Sequence, residues 1–303
     1  MTAAAAAPIA PADDAWRTLN LGALLFAATD RCVRDKLRVM RADGFVVTEA
    51  QLALFHHLDR AGTRLTVLAA RANLTKQGMI ELVDRAEAMR LVERRRDPAD
   101  GRAKTVHLTD HGAPMLASLH RGIVAAETGV RDAFGAEFDG IAHTLGAYGA
   151  SLPIASLGAD GERGSANIAR VFALAARRFS REALAVTEGR RDQPIAEVLL
   201  ALFRNLDLDG GRLTDIAARA RMTKQSMREL VDRAEAVGFV ERRSDLTDRR
   251  AKLIAFTAQG LTMLGDMRHG LIAAEKRFEY AAGAAFTARL RDRLLDYTAL
   301  PPS

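Results

Sequence analysis

Leu65-Thr66-Val67-Leu68-Ala69-Ala70-Arg71-Ala72-Asn73-Leu74-Thr75-Lys76-Gln77 opens the stretch whose reading decides the fold. It continues through Glu81-Leu82-Val83-Asp84-Arg85-Ala86-Glu87 and Leu91-Val92-Glu93-Arg94-Arg95-Arg96, and closes on Asp100-Gly101-Arg102-Ala103-Lys104. The pattern then returns as Leu213-Thr214-Asp215-Ile216-Ala217-Ala218-Arg219-Ala220, Thr223-Lys224-Gln225, Glu229-Leu230-Val231-Asp232-Arg233-Ala234-Glu235 and Val240-Glu241-Arg242-Arg243, ending on Asp248-Arg249-Arg250-Ala251-Lys252. Leu213 lies 148 residues after Leu65, and Lys252 lies 148 after Lys104, so the copies align without a gap. Self-similarity at a fixed offset is the signature of one module carried twice.

Within each copy the spacing predicts two short helices and a hairpin. Thr66 and Thr75 stand where an N-cap oxygen is wanted, with two residues, Asn73 and Leu74, between a helix from Thr66 to Ala72 and one from Thr75 to Met89. That is helix-turn-helix spacing. In the second helix Met79, Leu82, Val83 and Ala86 form an inward stripe, which leaves Thr75, Lys76, Gln77, Gly78, Glu81 and Arg85 on or near the outer face. Leu91 to Arg96 and Lys104 to Leu108 alternate apolar with charged residues around a turn-rich segment, as two strands of a β-hairpin do.

Outward from this unit the chain reads as helix. Leu21, Leu24, Leu25, Ala28, Cys32 and Leu37 predict one long amphipathic helix from Trp16 to Met40, and Thr48 with Gln51 forms a capping-box pattern before Leu52, Leu54, Phe55 and Leu58. Leu116, Leu119, Ile123 and Ala126, then Phe138, Ile141, Leu145 and Tyr148, close the first copy with two helices. The second copy starts at Asn167-Ile168 and closes on helices carrying Leu264, Leu271, Phe286, Leu290, Leu294 and Tyr297. The expected organisation is a disordered tail over 1–15, modules over 16–150 and 166–300, and a linker over 151–165 that contains Pro153 and several glycines.

Composition supports a mainly α chain with real cores: 303 residues, 49% hydrophobic but only 5% aromatic, with 8 Pro. Lys+Arg exceed Asp+Glu by 6, which suits an anionic partner without identifying one. One Cys excludes an intrachain disulfide, and without a Cys/His cluster there is no sequence case for zinc; a reducing, cytoplasmic setting is expected. No run of roughly 18 apolar residues is present, so no membrane span is expected. The absence of a phosphate-binding Gly loop, metal-ligand spacing or a nucleophile with its base argues against an enzyme: no catalytic residue, cofactor or metal is assigned.

A helix-turn-helix, a basic hairpin and a strand running into Thr-x-x-Gly, in that order, resemble the MarR family of winged helix-turn-helix transcription regulators. The first copy matches at Leu65-Thr66, Leu68-Ala69, Leu74-Thr75-Lys76, Leu82-Val83-Asp84-Arg85, Val92-Glu93-Arg94, Asp100-Gly101-Arg102-Ala103 and Thr109-Asp110-His111-Gly112. The second matches at Leu213-Thr214, Ile216-Ala217, Met222-Thr223-Lys224, Leu230-Val231-Asp232-Arg233, Val240-Glu241-Arg242, Asp248-Arg249-Arg250-Ala251 and Thr257-Ala258-Gln259-Gly260. The implied fold is two tandem winged helix-turn-helix modules with long flanking dimerisation-type helices and a short β-hairpin wing in each.

Family members ordinarily pair as homodimers on two-fold-related double-stranded DNA. The resemblance therefore implies a repressor acting as an intramolecular pseudo-dimer on a pseudo-palindromic or asymmetric operator, recognition helices about 34 Å apart, with a homodimer of such chains as the alternative. For the DNA contacts, Thr75, Thr223, Lys76 and Lys224 suit phosphates at a helix N-terminus, and Gln77 and Gln225 suit adenine edges. Arg85, Ser226, Arg228 and Arg233 add to the helix face; Arg102, Arg249 and Arg250 suit a narrow minor groove. Glu81 and Glu229 stand where the family often has Arg, and each has an Arg one turn later with which to pair. The copies differ at Gly78 against Ser226, Ile80 against Arg228 and Gly101 against Arg249, which implies unequal half-sites.

The resemblance also implies a small-molecule effector, aromatic or phenolic, in a site drawing on Trp16, Arg31, Phe55, His56 and His57, with Phe26 nearby. Cys32 lies on an apolar stripe and reads as a buried structural thiol. A reading of a different class is a winged-helix protein-interaction module with weak or no DNA binding, for which the two Glu residues speak.

Overall fold

The computed structural model describes residues 15–59, 61–72, 74–97, 100, 103–150, 167–190, 195–220, 222–244 and 252–299. The expected tail up to residue 14, the linker 151–165 and the hairpin tips with Arg102, Arg249 and Arg250 lie outside the described residues.

The first helical stretch is broken where a single helix was expected. Asn20 separates α1 (Ala15–Leu19) from α2 (Leu21–Ala42) because its side chain competes for backbone partners. Its Oδ1 accepts from the Ala23 amide at 2.9 Å, while its Nδ2 donates to the carbonyls of Trp16 and Arg17. One residue thus ends one helix and starts the next.

α3 (Glu49–His56) begins with the expected capping box: Thr48 Oγ1 accepts from the Gln51 amide, and Gln51 Oε1 accepts from the Thr48 amide at 2.8 Å. After the two-residue strand β1 (Thr63–Arg64), α4 (Leu65–Ala72) starts one residue earlier than expected, so Thr66 lies inside its first turn rather than capping it. α5 (Lys76–Ala88) is capped by Thr75 and buries Met79, Leu82, Val83 and Ala86, the stripe its spacing predicts. β2 (Val92–Arg96) and β3 (Lys104–Leu108) pair antiparallel with Val92 opposite Leu108, and β1 adds to the other edge of β3 in the order β1-β3-β2. α6 (Gly112–Phe134) and α7 (Phe138–Ala150) follow, with Phe138, Ile141, Leu145 and Tyr148 buried as expected.

α8 (Ile168–Glu188) and α9 (Leu200–Asn205) precede the second head. That head is β4 (Gly211–Arg212), α10 (Leu213–Arg219), α11 (Lys224–Ala236), β5 (Val240–Ser244) and β6 (Lys252–Phe256), in sheet order β4-β6-β5. Its register, Val240 opposite Phe256, is that of the first sheet displaced by 148 residues. α12 (Ala258–Ala282) and α13 (Ala284–Ala299) close the chain.

Compactness follows packing and not the order of the chain. One unit comprises Leu25–Ala175 with Asp292–Ser303 and contains the first head; the other comprises Met1–Leu24 with Ala176–Arg291 and contains the second. In the first-head unit Leu52, Phe55, Leu68, Met79, Val83 and Val106 share a core. A second apolar group there forms around Phe134, whose ring lies 6.1 Å from both Phe172 and Tyr297. Tyr297 is buried with its hydroxyl 3.4 Å from Cys32 Sγ, and the Arg31 guanidinium lies 4.6 Å from its ring centroid. Burial pushes the Cys32 thiol up to about 11, so it packs and does not act as a nucleophile near neutral pH.

In the second-head unit Phe203, Ile216, Met227, Val231, Phe239 and Phe256 occupy the corresponding core. α1 is strapped to it by Arg17, whose buried guanidinium donates to the carbonyls of Phe203 and Leu206 at the end of α9 and lies 5.9 Å from the Phe256 ring centroid. Those carbonyls belong to a helix C-terminus, where cations are favoured.

α5 and α11 are each followed by a residue in the left-handed region, and the copies solve this differently. Gly238 has φ +78°, whereas Arg90 holds φ +58° with a side chain attached. A Thr just past the hairpin donates its hydroxyl back to that residue in both, Thr109 to the Arg90 carbonyl and Thr257 to the Gly238 carbonyl. The conformation costs a non-glycine residue about 1 kcal/mol. Arg90→Gly is accordingly expected to raise stability by up to about 1 kcal/mol, read as a higher urea midpoint at unchanged slope, while Gly238→Ala lowers it comparably.

Candidate nucleic-acid interface

α5 and α11 are entered identically. Leu74 donates its amide to the Ala69 carbonyl, and Met222 to that of Ala217, each at 2.9 Å, folding the chain back between the helices. Thr75 Oγ1 then accepts from the Gly78 amide and Thr223 Oγ1 from the Ser226 amide, both at 3.0 Å. These hydroxyls therefore cap their helices, and what they offer a phosphate is a hydroxyl proton rather than a free oxygen. Ser226 adds a side-chain bond to Thr223 at 2.8 Å that Gly78 cannot make.

Lys76, Gln77, Lys224 and Gln225 are exposed on the first turns, where amides not yet committed to the helix and the helix dipole favour an anion. Gln225 donates to Glu229 Oε1 at 3.3 Å, so it is held, whereas Gln77 makes no such bond to Glu81. Arg85, Arg228 and Arg233 are exposed and form no ion pair among the described residues. The pairing expected of Glu81 with Arg85 and of Glu229 with Arg233 is likewise absent among them. Both heads therefore present, on the same outer face, cations and one acid that form no ion pair among the described residues.

A feature not anticipated from the sequence fixes the wing to this face. Arg94 on β2 bonds Asp84 at 2.7 Å and also Glu87, one turn apart on α5, while its amide donates to Glu87 Oε1 at 2.9 Å. Arg242 repeats all three with Asp232 and Glu235. The signal was present as an acid pair at i and i+3 followed by an inward-alternating Arg on the strand. At the base of the first hairpin Arg64 pairs with buried Asp97, tying β1 to the turn. The Asp97 amide donates to the Ala103 carbonyl at 3.0 Å, which closes the base of the hairpin.

The copies differ in what surrounds this clamp. In the second head Arg228, Asp232, Arg242 and Lys252 line a surface depression with Leu213 and Ile254, where the first head has half-buried Ile80 in place of Arg228. The second head thus carries one more exposed cation on its helix.

The residues expected to bind an effector are not gathered in one unit. Trp16 belongs to the second-head unit; Arg31, Phe55, His56 and His57 belong to the first-head unit. Arg31 and Phe55 are buried, His56 is exposed and His57 half-buried. Burial, with Arg170 and Arg71 nearby, pulls the His57 imidazole below its ordinary range. No group of three or more His, Cys, Asp or Glu among the described residues is placed to hold a metal ion, and no described helix is long and apolar enough to cross a membrane.

Comparison with known proteins places a MarR family domain at residues 47–103. No curated protein matches the chain. Among solved structures it is similar to YusO from Bacillus subtilis, at 24% identity over 31% of this chain and 65% of that one, with a TM-score of 0.27. It is also similar to the PcaV transcriptional regulator from Streptomyces coelicolor with its natural ligand (25% identity, 33% and 71%, TM-score 0.29) and to the transcriptional repressor CouR bound to a 23-mer DNA duplex (21%, 41% and 87%, 0.35). The chain therefore spans just under two thirds of the YusO chain it matches.

The clamp predicts a separable effect on order and on stability. Arg94→Met or Arg242→Met removes ion pairs between half-exposed groups, worth about 0.2–1 kcal/mol each, so the unfolding midpoint shifts little. Amide hydrogen exchange in β2 or β5 should nonetheless rise; unchanged exchange would mean that strand pairing alone holds the wing.

Proposed function

We propose that the chain is a sequence-specific, double-stranded-DNA-binding transcription regulator, a repressor, in which two MarR-like modules, 16–150 and 166–300, joined by the linker 151–165, act as an intramolecular pseudo-dimer. The observation that carries this reading is the pair of capped recognition helices, each clamped to its wing and each presenting unpaired cations at the same offset of 148 residues. The family domain at 47–103 supports it for the first head. For the pseudo-dimer, the support is that each head shares a compact unit with a segment from the other end of the chain.

In this reading Lys76 and Lys224 anchor phosphates at the helix N-termini, and Gln77 and Gln225 meet base edges in the major groove. Arg85, Arg228 and Arg233 reach flanking phosphates, and Arg102, Arg249 and Arg250 enter minor grooves from the wing tips. Because Arg228 and Ser226 stand against Ile80 and Gly78, the half-sites are unequal and the second head binds more strongly. A homodimer of chains would double the site. An aromatic or phenolic effector releases the operator.

The exposed Glu81 and Glu229, neither in an ion pair with another described residue, favour a second reading, a winged-helix protein-interaction module. Selection of bound sequences from random duplex DNA, repeated at two salt concentrations with the mass of the complex measured, separates the two. Affinity that falls with salt, on a site of about 20 base pairs per chain, supports the regulator; absence of salt-sensitive binding removes it. Lys76→Ala with Arg85→Ala should lower the salt slope by about one per lost phosphate contact, and Lys224→Ala with Arg228→Ala and Arg233→Ala should lower it further. Equal losses would remove the asymmetry.

A further inference from the structure

Helix and wing face each other across a gap whose charges the clamp does not use up. Successive residues of a strand alternate sides, so Arg242 and Ser244 on β5 share one face of the sheet with Lys252 and Ile254 on β6, Arg242 opposite Ile254 and Ser244 opposite Lys252. Arg228 and Asp232, one turn apart on α11, line a surface depression of about 360 Å³ together with Leu213, Arg242, Lys252 and Ile254. Arg242 is satisfied by Asp232 and Glu235. Arg228 and Lys252 are exposed and form no ion pair among the described residues; Lys252 donates to Ser244 Oγ at 3.4 Å.

Displaced by 148 residues, the first head repeats this face with one exchange. Ile80 replaces Arg228 on the helix, and Arg96 replaces Ser244 on the strand. Arg96 therefore lies directly opposite Lys104; both are exposed, and neither forms an ion pair among the described residues. Like charges directly opposite on an antiparallel pair repel and cost stability. One cation has thus moved from wall to wall of the gap: Arg94, Arg96 and Lys104 serve the first head, Arg228, Arg242 and Lys252 the second. An anion seated in the gap needs the charge beside it but not on a particular wall.

The regulator reading, on which this rests, puts the helix in a major groove and the wing in the neighbouring minor groove. One sugar-phosphate strand divides those grooves, so it crosses between helix and wing. We infer that one backbone phosphate of that strand sits in the gap of each head, gripped from opposite walls by Arg228 and Lys252 in the second and from the wing alone by Arg96 and Lys104 in the first. Leu213 and Ile254 offer the carbon face of the deoxyribose an apolar wall. The second head's wing and helix are then seated on one phosphate together, whereas the first head's wing holds its phosphate without the helix.

The test is the salt slope of DNA binding by the full chain on a random-sequence duplex of about 20 base pairs. Two cations on one phosphate count once, so Arg228→Ala with Lys252→Ala should lower the slope by about one and not two. Arg96→Ser should weaken binding several-fold, and adding Ile80→Arg, which rebuilds the second head's arrangement, should recover most of that loss. Arg95→Ser, on the opposite face of β2 where Arg95 pairs with Glu93, should leave affinity unchanged. Should the Ile80→Arg chain fail to fold, the double variant at exposed Arg228 and Lys252 still decides. Inorganic pyrophosphate is the free-phosphate arm: saturable, Arg228-dependent binding of it without DNA overturns the strand as occupant, and none is expected. A slope change of about two, or of none, for the double variant overturns the inference and leaves the regulator reading in place, as does an equal loss for Arg95→Ser and Arg96→Ser. Absence of salt-sensitive binding by the unaltered chain removes both.

Discussion

One guanidinium gripping two carboxylates, Arg94 on Asp84 and Glu87 and again Arg242 on Asp232 and Glu235, sets the geometry on which each head depends. Its stabilisation is small, because the groups are partly solvated and such pairs contribute little. Its effect is orientation. A planar guanidinium bonded to acids one helical turn apart fixes both the distance and the angle between strand and helix, which a single ion pair or an apolar contact would not. The cores beneath, around Met79 and Val83 or Met227 and Val231, supply the stability; the clamp decides where the wing points relative to the helix.

Much of each head was legible because its elements are strongly periodic and locally capped. The stripe Met79, Leu82, Val83 and Ala86, the caps Thr75 and Thr223, and the strands 92–96 and 104–108 follow from spacing alone. β1 escaped because two residues carry no alternation, and the break at Asn20 because the apolar period continues through it while the side chain recruits backbone partners. Thr66 was misplaced for a related reason: a hydroxyl near a helix start looks like a cap whether or not the helix begins one residue sooner. Of the interface, the exposed cations were legible by type and face. The clamp was not, since it joins residues of two elements whose crossing is a tertiary fact, and neither was the assignment of Trp16 to a different compact unit from His56 and His57.

Duplication leaves each copy free to spend its residues differently. Arg90 tolerates a left-handed backbone that Gly238 adopts freely, and Ile80 is half-buried where Arg228 is exposed. In a homodimer every such change would be made twice. Within one chain an added cation or a strained turn can belong to one head only.

The interleaving of chain ends with heads governs the order in which the molecule can be completed. Tyr297, 1% exposed, packs against Phe134 in the unit of the first head, and Arg17 is buried against Phe203 in the unit of the second. During synthesis Phe134 waits for Tyr297, made more than 150 residues later, and α1 waits for a partner made nearly two hundred residues after it. Such separations make closure slow and leave apolar surface uncovered meanwhile. Apolar surface left uncovered over such intervals is where aggregation and chaperone capture compete with folding.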